Sequence, residues 1–230
     1  MKTIRRESNQ ESVREEIKFF AWHQIATGGV GSISLGAIAR SMNLTTPALY
    51  RYFPSRDHLI LALTLDAYKS FVASLEAVSG EQNHENHAAR FHALCKAYYQ
   101  WAVDHPQQYQ LIFGFALSPY ELNEEAGEMA DRSFLIVIEM INDACRAGKI
   151  AAVNDLIISA ELKNRLERLS HRGKTYPAEV MYLALGTWSF INGITTLELS
   201  QKYSLMLAHQ THEFFTLEVD RYMRSIGFSS

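Results

Sequence analysis

The chain has 230 residues, 47% of them hydrophobic, and a net charge of −3, which is ample material for a packed core and rules out general disorder. Its two cysteines, Cys95 and Cys145, are too few for a disulfide framework and lack zinc-finger spacing, so a reducing cytoplasm is the expected compartment. No run approaches the ~20 apolar residues of a membrane span, and the opening MKTIRRESNQESVREE lacks the apolar middle of a signal peptide, so no membrane partner is expected.

In chain order, the first element is a helix with Val13, Ile17, Phe20, Ala21 and Ile25 on one face, ending near Gly28. Gly28-Gly29-Val30-Gly31 reads as a helix stop and flexible turn. A phosphate-cradling loop would follow a strand, and this segment lies between helices. Ser34 is placed to cap a short helix, Leu35 to Met42, with Leu35, Ile38 and Ala39 inward. The turn Met42-Asn43-Leu44 contains an Asn that tolerates a left-handed backbone, and Leu44 supplies an anchor. Thr45 then caps a second short helix, Thr46 to Phe53. Pro47 sits in its first turn, where a missing N–H is harmless, and Leu49 and Phe53 point inward.

The outward face of that second helix is short, polar and aromatic. Thr45, Thr46, Pro47 and Ala48 are small enough to let its N-terminus approach base edges, with hydroxyls to hydrogen-bond and carbons to meet thymine methyls. Tyr50, Arg51 and Tyr52 reach flanking phosphates, or the two tyrosines simply pack the small domain. Pro54 to Asp57 breaks the helix and opens a long one near His58, placing Arg56 at a helix N-terminus, itself a site for anions. Charge distribution agrees: residues 1–60 carry eight Lys/Arg against five Asp/Glu, while the rest carry fourteen against twenty, making the front the anion-binding end.

The stretch SLGAIARSMNLTTPALYRYFPSRDHLIL, Ser34 to Leu61, closely resembles the DNA-binding module of TetR-family repressors. Ile38-Ala39, Leu44, Leu49-Tyr50, Tyr52-Phe53, Arg56-Asp57 and Leu59 carry the resemblance. It departs mildly at Asn43, commonly Gly in the family, and at Arg56, commonly Lys. The resemblance implies that the helix Thr46–Phe53 enters the major groove, that Thr45, Thr46 and Ala48 lie nearest the bases, and that Tyr50, Tyr52 and Arg56 hold phosphates. The expected DNA-binding set is Ser34, Thr45, Thr46, Pro47, Ala48, Tyr50, Arg51, Tyr52 and Arg56. Residues 1–57 are the expected helix-turn-helix domain and residues 58–230 a helical regulatory and dimerisation domain.

Beyond His58, Leu59, Leu63, Ala67, Phe71 and Leu75 form one helical face. Helices continue to the end with no defensible strand, giving nine or ten in an all-α protein. Exposed connections are expected at residues 79–87, 119–127 and 169–175. Residues 91–115 are rich in aromatics: Phe91, Tyr98, Tyr99, Trp101, Tyr109, Phe113 and Phe115. Tyr98-Tyr99-Gln100-Trp101 through Phe113, with Trp188 to Glu198, resembles the regulatory domain of a TetR branch named for a Trp-His-Gly signature, with Asn192 where the signature has His. Tyr98, Tyr109, Phe113, Phe134, Trp188 and Asn192 could line an apolar cavity for a small apolar or aromatic effector, or simply fill the core. Two final helices, about 177–201 and 204–226, are apolar around much of their circumference. In the family such helices pair two subunits, which predicts a homodimer on a palindromic double-stranded operator.

The expected activity is thus ligand-responsive regulation of transcription, most simply repression, with no cofactor. An enzyme reading would start from His84, His87, His92 and Cys95, or from His209 and His212. His84 and His87 fall in a polar loop, closed zinc sites show tighter pairing, and no nucleophile elbow, P-loop or dinucleotide fingerprint occurs. A DNA binder without a small ligand is the remaining alternative.

Overall fold

A computed structural model describes residues 2–79, 86–114, 122–151, 156–171 and 173–228, with backbone alone for 2–9, 170, 171, 204 and 209. The described residues form eleven α-helices: α1 Lys2–Gly28, α2 Leu35–Ser41, α3 Thr46–Tyr50, α4 Arg56–Ser79, α5 His87–Asp104, α6 Pro106–Phe113, α7 Glu124–Arg146, α8 Ala160–Glu167, α9 Ala178–Leu199, α10 Lys202–Leu207 and α11 Thr211–Ser225. The all-α expectation therefore holds. One small exception is an antiparallel pair of two-residue strands, β1 Ser170–His171 and β2 Lys174–Thr175, joined through Gly173 at φ 77°.

Two expected helices are shorter than their periodicity suggests. The helix expected over Thr46–Phe53 ends at Tyr50, after which Tyr52 N–H and Phe53 N–H both donate to the Leu49 carbonyl at 2.9 and 3.2 Å. The expected final helix is divided. Left-handed backbone at Gln201 (φ 59°) and Ala208 (φ 50°) brackets the short α10 and sets it apart from α11.

The chain packs as two compact units, one of residues 1–68 with 106–127 and one of residues 69–105 with 128–230. In the first, α1, α2, α3 and the start of α4 close around Ile17, Ala21, Ile25, Ile38, Leu49, Phe53, Leu59 and Leu63, and Leu111 of α6 is buried in the same core. Gly29, at φ 72°, ends α1 by a turn that an L side chain resists, and Ser32 Oγ closes it on the Gln24 and Gly29 carbonyls at 2.8 and 2.7 Å. In the second unit, α9 packs on α5 and α8, and α11 on α5, around Phe91, Tyr98, Ile138, Ile141, Met181, Ala184 and Val219.

Contrary to the expectation that no stretch nears a membrane span, α4 and α9 are each long and apolar enough to cross a bilayer by length and composition. About half of each apolar stretch is buried inside the protein, as helices packed on several sides require.

Candidate nucleic-acid interface

Local rules position the reading surface. Ser34 Oγ accepts from Ala37 N–H at 3.3 Å and starts α2, while Ser34 N–H donates to Gln24 Oε1 at 2.8 Å and ties that start to α1. After α2 the chain turns through Asn43 at φ 56°, the left-handed geometry that Asn tolerates, and Leu44 N–H closes the turn on the Ala39 carbonyl at 2.8 Å. Thr45 Oγ1 accepts from Ala48 N–H at 3.3 Å and Pro47 lies in the first turn, as a helix start favours.

Leu49 of α3 and Phe53, just beyond its end, are fully buried on the inward side. That registry turns Thr45, Thr46, Pro47, Tyr50 and Arg51 to solvent and leaves Ala48 half-buried. From Ile17 to Arg56 the chain has no Asp or Glu but carries Lys18, Arg40, Arg51 and Arg56, so no carboxylate along this stretch would repel a polyanion.

The two tyrosines left open by the sequence behave differently. Tyr50 is 47% exposed, whereas Tyr52 is half-buried against the core, and its carbonyl accepts from Arg14 Nη1 at 2.8 Å. Arg56 is also tied inward. Its Nη2 donates to the Val30 carbonyl at 2.7 Å, holding the turn before α2 to the start of α4, and its Nε is buried without a partner.

Sequence reasoning missed Arg14, whose guanidinium stands 4.5 Å over the Phe53 ring besides holding Tyr52. Its signal was position, one turn before Ile17 on the rim of the α1 apolar face. Also missed was the clasp between α1 and α4, Lys18 Nζ to Asp66 Oδ2 at 2.6 Å. Burial pulls the Lys18 pKa down, but Asp66 and Glu15 more than offset it, so the net direction is up.

Of the six residues expected around an effector, four come together in the second unit. Trp188 meets Tyr98 edge-on at 5.7 Å and Phe134 at 5.3 Å, and Phe71 adds a fourth aromatic side chain 5.0 Å from Tyr98. Tyr98 Oη donates to Asn192 Oδ1 at 2.8 Å, and Asn192 Nδ2 donates to the Trp188 carbonyl at 2.9 Å. Tyr98 is buried, while Phe134, Trp188 and Asn192 are half-buried. Tyr109 and Phe113 belong to the first unit, with their rings 4.9 Å apart.

The histidine cluster does not assemble among the described residues, where no group of three or more His, Cys, Asp or Glu side chains is placed to hold a metal. His92 Nε2 lies 3.1 Å from Asp220 Oδ1, and Cys95 is buried, with its thiol pushed far up by desolvation. His84 and the His209 side chain, like Phe115, lie outside the described residues.

Comparison with known proteins places these features. Residues 21–63 match the family described as bacterial regulatory proteins, tetR family, and residues 91–222 match the tetracyclin repressor-like C-terminal domain. The chain is 23% identical over 203 residues, 86% of each protein, to the HTH-type transcriptional regulator Rv1816 of Mycobacterium tuberculosis. A solved structure described as a regulatory protein, SCO4313, is 32% identical with a TM-score of 0.76, covering 95% of this chain and 98% of that one. A tetR-family regulatory protein from Rhodococcus RHA1 shares the fold at 16% identity, with a TM-score of 0.64 over 94% of this chain and 98% of its own.

Proposed function

Because the chain belongs to the TetR family and is a DNA-binding transcriptional regulator rather than an enzyme, we propose that it is a dimeric repressor, released from a palindromic operator by a small apolar or aromatic effector. The observation that carries the DNA half is the outward face of α3. Thr45, Thr46, Pro47, Tyr50 and Arg51 stand exposed over a fully buried Leu49, small at the N-terminus where base edges approach and aromatic or basic where phosphates flank. With Ala48, and with Ser34, Tyr52 and Arg56 at the flanks, they form the proposed contact set. The Arg56 bond to Val30 gives that residue a second task, fixing the turn before α2 beside its proposed phosphate contact.

Dimerisation is supported by α9, whose exposed stripe of Tyr182, Leu185, Gly186, Ser189, Gly193 and Leu197 carries no charge. A two-fold axis there presents two reading helices about 34–36 Å apart, one DNA turn or a multiple. The effector site is the cluster of Tyr98, Phe134, Trp188 and Asn192, apolar with one polar pair for orientation. Helix α4 contributes Arg56–Tyr68 to one unit and Lys69–Ser79 to the other, which suits it to couple effector to operator. That coupling is reciprocal: operator weakens effector by the same factor.

The test is binding of the purified protein to its own upstream DNA across a salt series, beside Tyr50→Phe and Arg56→Ala. Footprinting of a palindrome, with weaker binding and a salt slope shallower by about one in Arg56→Ala, is the expected result. Equal affinity for upstream and random fragments would overturn the operator, and an effector that fills the body yet leaves operator affinity unchanged would overturn the release mechanism.

A further inference from the structure

A groove of about 450 Å3 opens in the second unit between the last turns of α4, the start of α5 and the middle of α7. Its floor is a stripe of α7 on which Ile136 and Met140, both buried, sit one turn apart between Arg132 and Asp143. Most of the charges around it are already matched. Arg132 Nε donates to Glu76 Oε1 at 2.7 Å, and Lys174 Nζ to Glu139 Oε1 at 2.7 Å.

Arg90 and Asp143 are the exceptions. The Arg90 side chain is only 14% exposed, and its one ionic neighbour among the described residues is Asp143 at 3.9 Å, beyond hydrogen-bond distance. Asp143 is 48% exposed. A guanidinium cannot shed its charge, and among the described residues no acceptor stands within hydrogen-bond distance of this one, which leaves its fork free to take a carboxylate. Counting Lys174, which bonds Glu139 at its rim, the groove carries three cations and three carboxylates among the described residues. Neither a simple anion nor a simple cation matches such a balance, whereas a molecule bearing both signs does.

We propose that this groove binds a small zwitterion with an apolar side chain, of the α-amino acid type. Its carboxylate accepts from the Arg90 fork, its ammonium donates to Asp143, and its side chain lies on Ile136 and Met140. The site shares no residue with the aromatic cluster around Trp188 and does not depend on the repressor reading.

The experiment is isothermal titration of the full chain with leucine, isoleucine, methionine and phenylalanine, then with leucinamide and N-acetyl-leucine, which each keep one charge. Saturable binding of at least one amino acid is expected, weaker by ~10-fold or more for both leucine analogues if leucine binds, and by ~10-fold or more in Arg90→Gln and in Asp143→Asn. The folded state of each variant is checked by circular dichroism and melting; the two act independently, so one that misfolds leaves the other as the test. No saturable binding of any of the four, N-acetyl-leucine binding as well as leucine, or unchanged binding in a folded variant would each overturn the site.

Discussion

The reading head and the aromatic body use their polar side chains in opposite ways. In the head, Ser34 and Thr45 each bond the N–H three residues ahead and stay at the surface. In the body, Tyr98 reaches an Asn192 that lies 94 residues away, among packed rings. The first kind of bond shapes a surface for another molecule, and its loss costs helix stability in modest steps. The second kind ties distant helices together among packed rings, so removing one partner takes from the other a bond that water replaces only in part. Damage to the head's polar face should therefore appear first in DNA affinity, and damage to the body's polar pair first in stability.

The largest test lies beneath the head's face. Phe53→Ala empties a fully buried position under Arg14 and should cost about 3–5 kcal/mol, read by urea unfolding, with operator binding lost. Wild-type affinity in that variant would show that the outward face does not depend on its core. Next in size, Tyr98→Phe leaves Asn192 Oδ1 without its donor and should cost about 1–3 kcal/mol, while operator affinity without effector stays unchanged. A drop in that affinity would break the contrast between the two regions.

Thr45→Ala sharpens the contrast from the other side. Losing the α3 cap should cost about 1 kcal/mol, and operator affinity should fall by more than stability alone explains, as a gel-shift series beside Tyr98→Phe would show. The smallest effect belongs to Asp66→Asn, which removes a partly exposed ion pair worth under about 1 kcal/mol. Lys18 is raised above its ordinary 10.5, so this pair's contribution is whole below that pH and fades as pH climbs through the raised value. Asp66→Asn should flatten that alkaline loss in a melting series; an unchanged curve would show that the clasp does not hold α1 to α4 in solution.

Much of the head was legible because its signals are short-range. A capping hydroxyl, an Asn in the turn, a Pro in the first turn and an apolar pair four residues apart act within one or two helical turns, and Ser34, Asn43, Thr45, Pro47, Leu49 and Phe53 stand as those rules require. The end of α3 was harder to read, because Phe53 remains buried whether the backbone stays helical or tightens after Tyr50. In the body, apolar periodicity revealed helices and the boundary near Gln201, but not the interruption of the final helix at Ala208, where no Gly or Pro announces the left-handed backbone. Aromatic richness showed that rings would meet, without showing which ones.

The sequence by itself determined the all-helical class, the helix-turn-helix and the face that α3 turns outward, since hydrophobic periodicity and capping chemistry act between near neighbours. Only the tertiary structure decided that Leu111 joins the head's core, that Arg56 holds the Val30 carbonyl, and that Tyr98, Phe134, Trp188 and Asn192 gather. Those pairings join residues tens of positions apart, and burial selects them through how whole helices fill space, which no local pattern encodes.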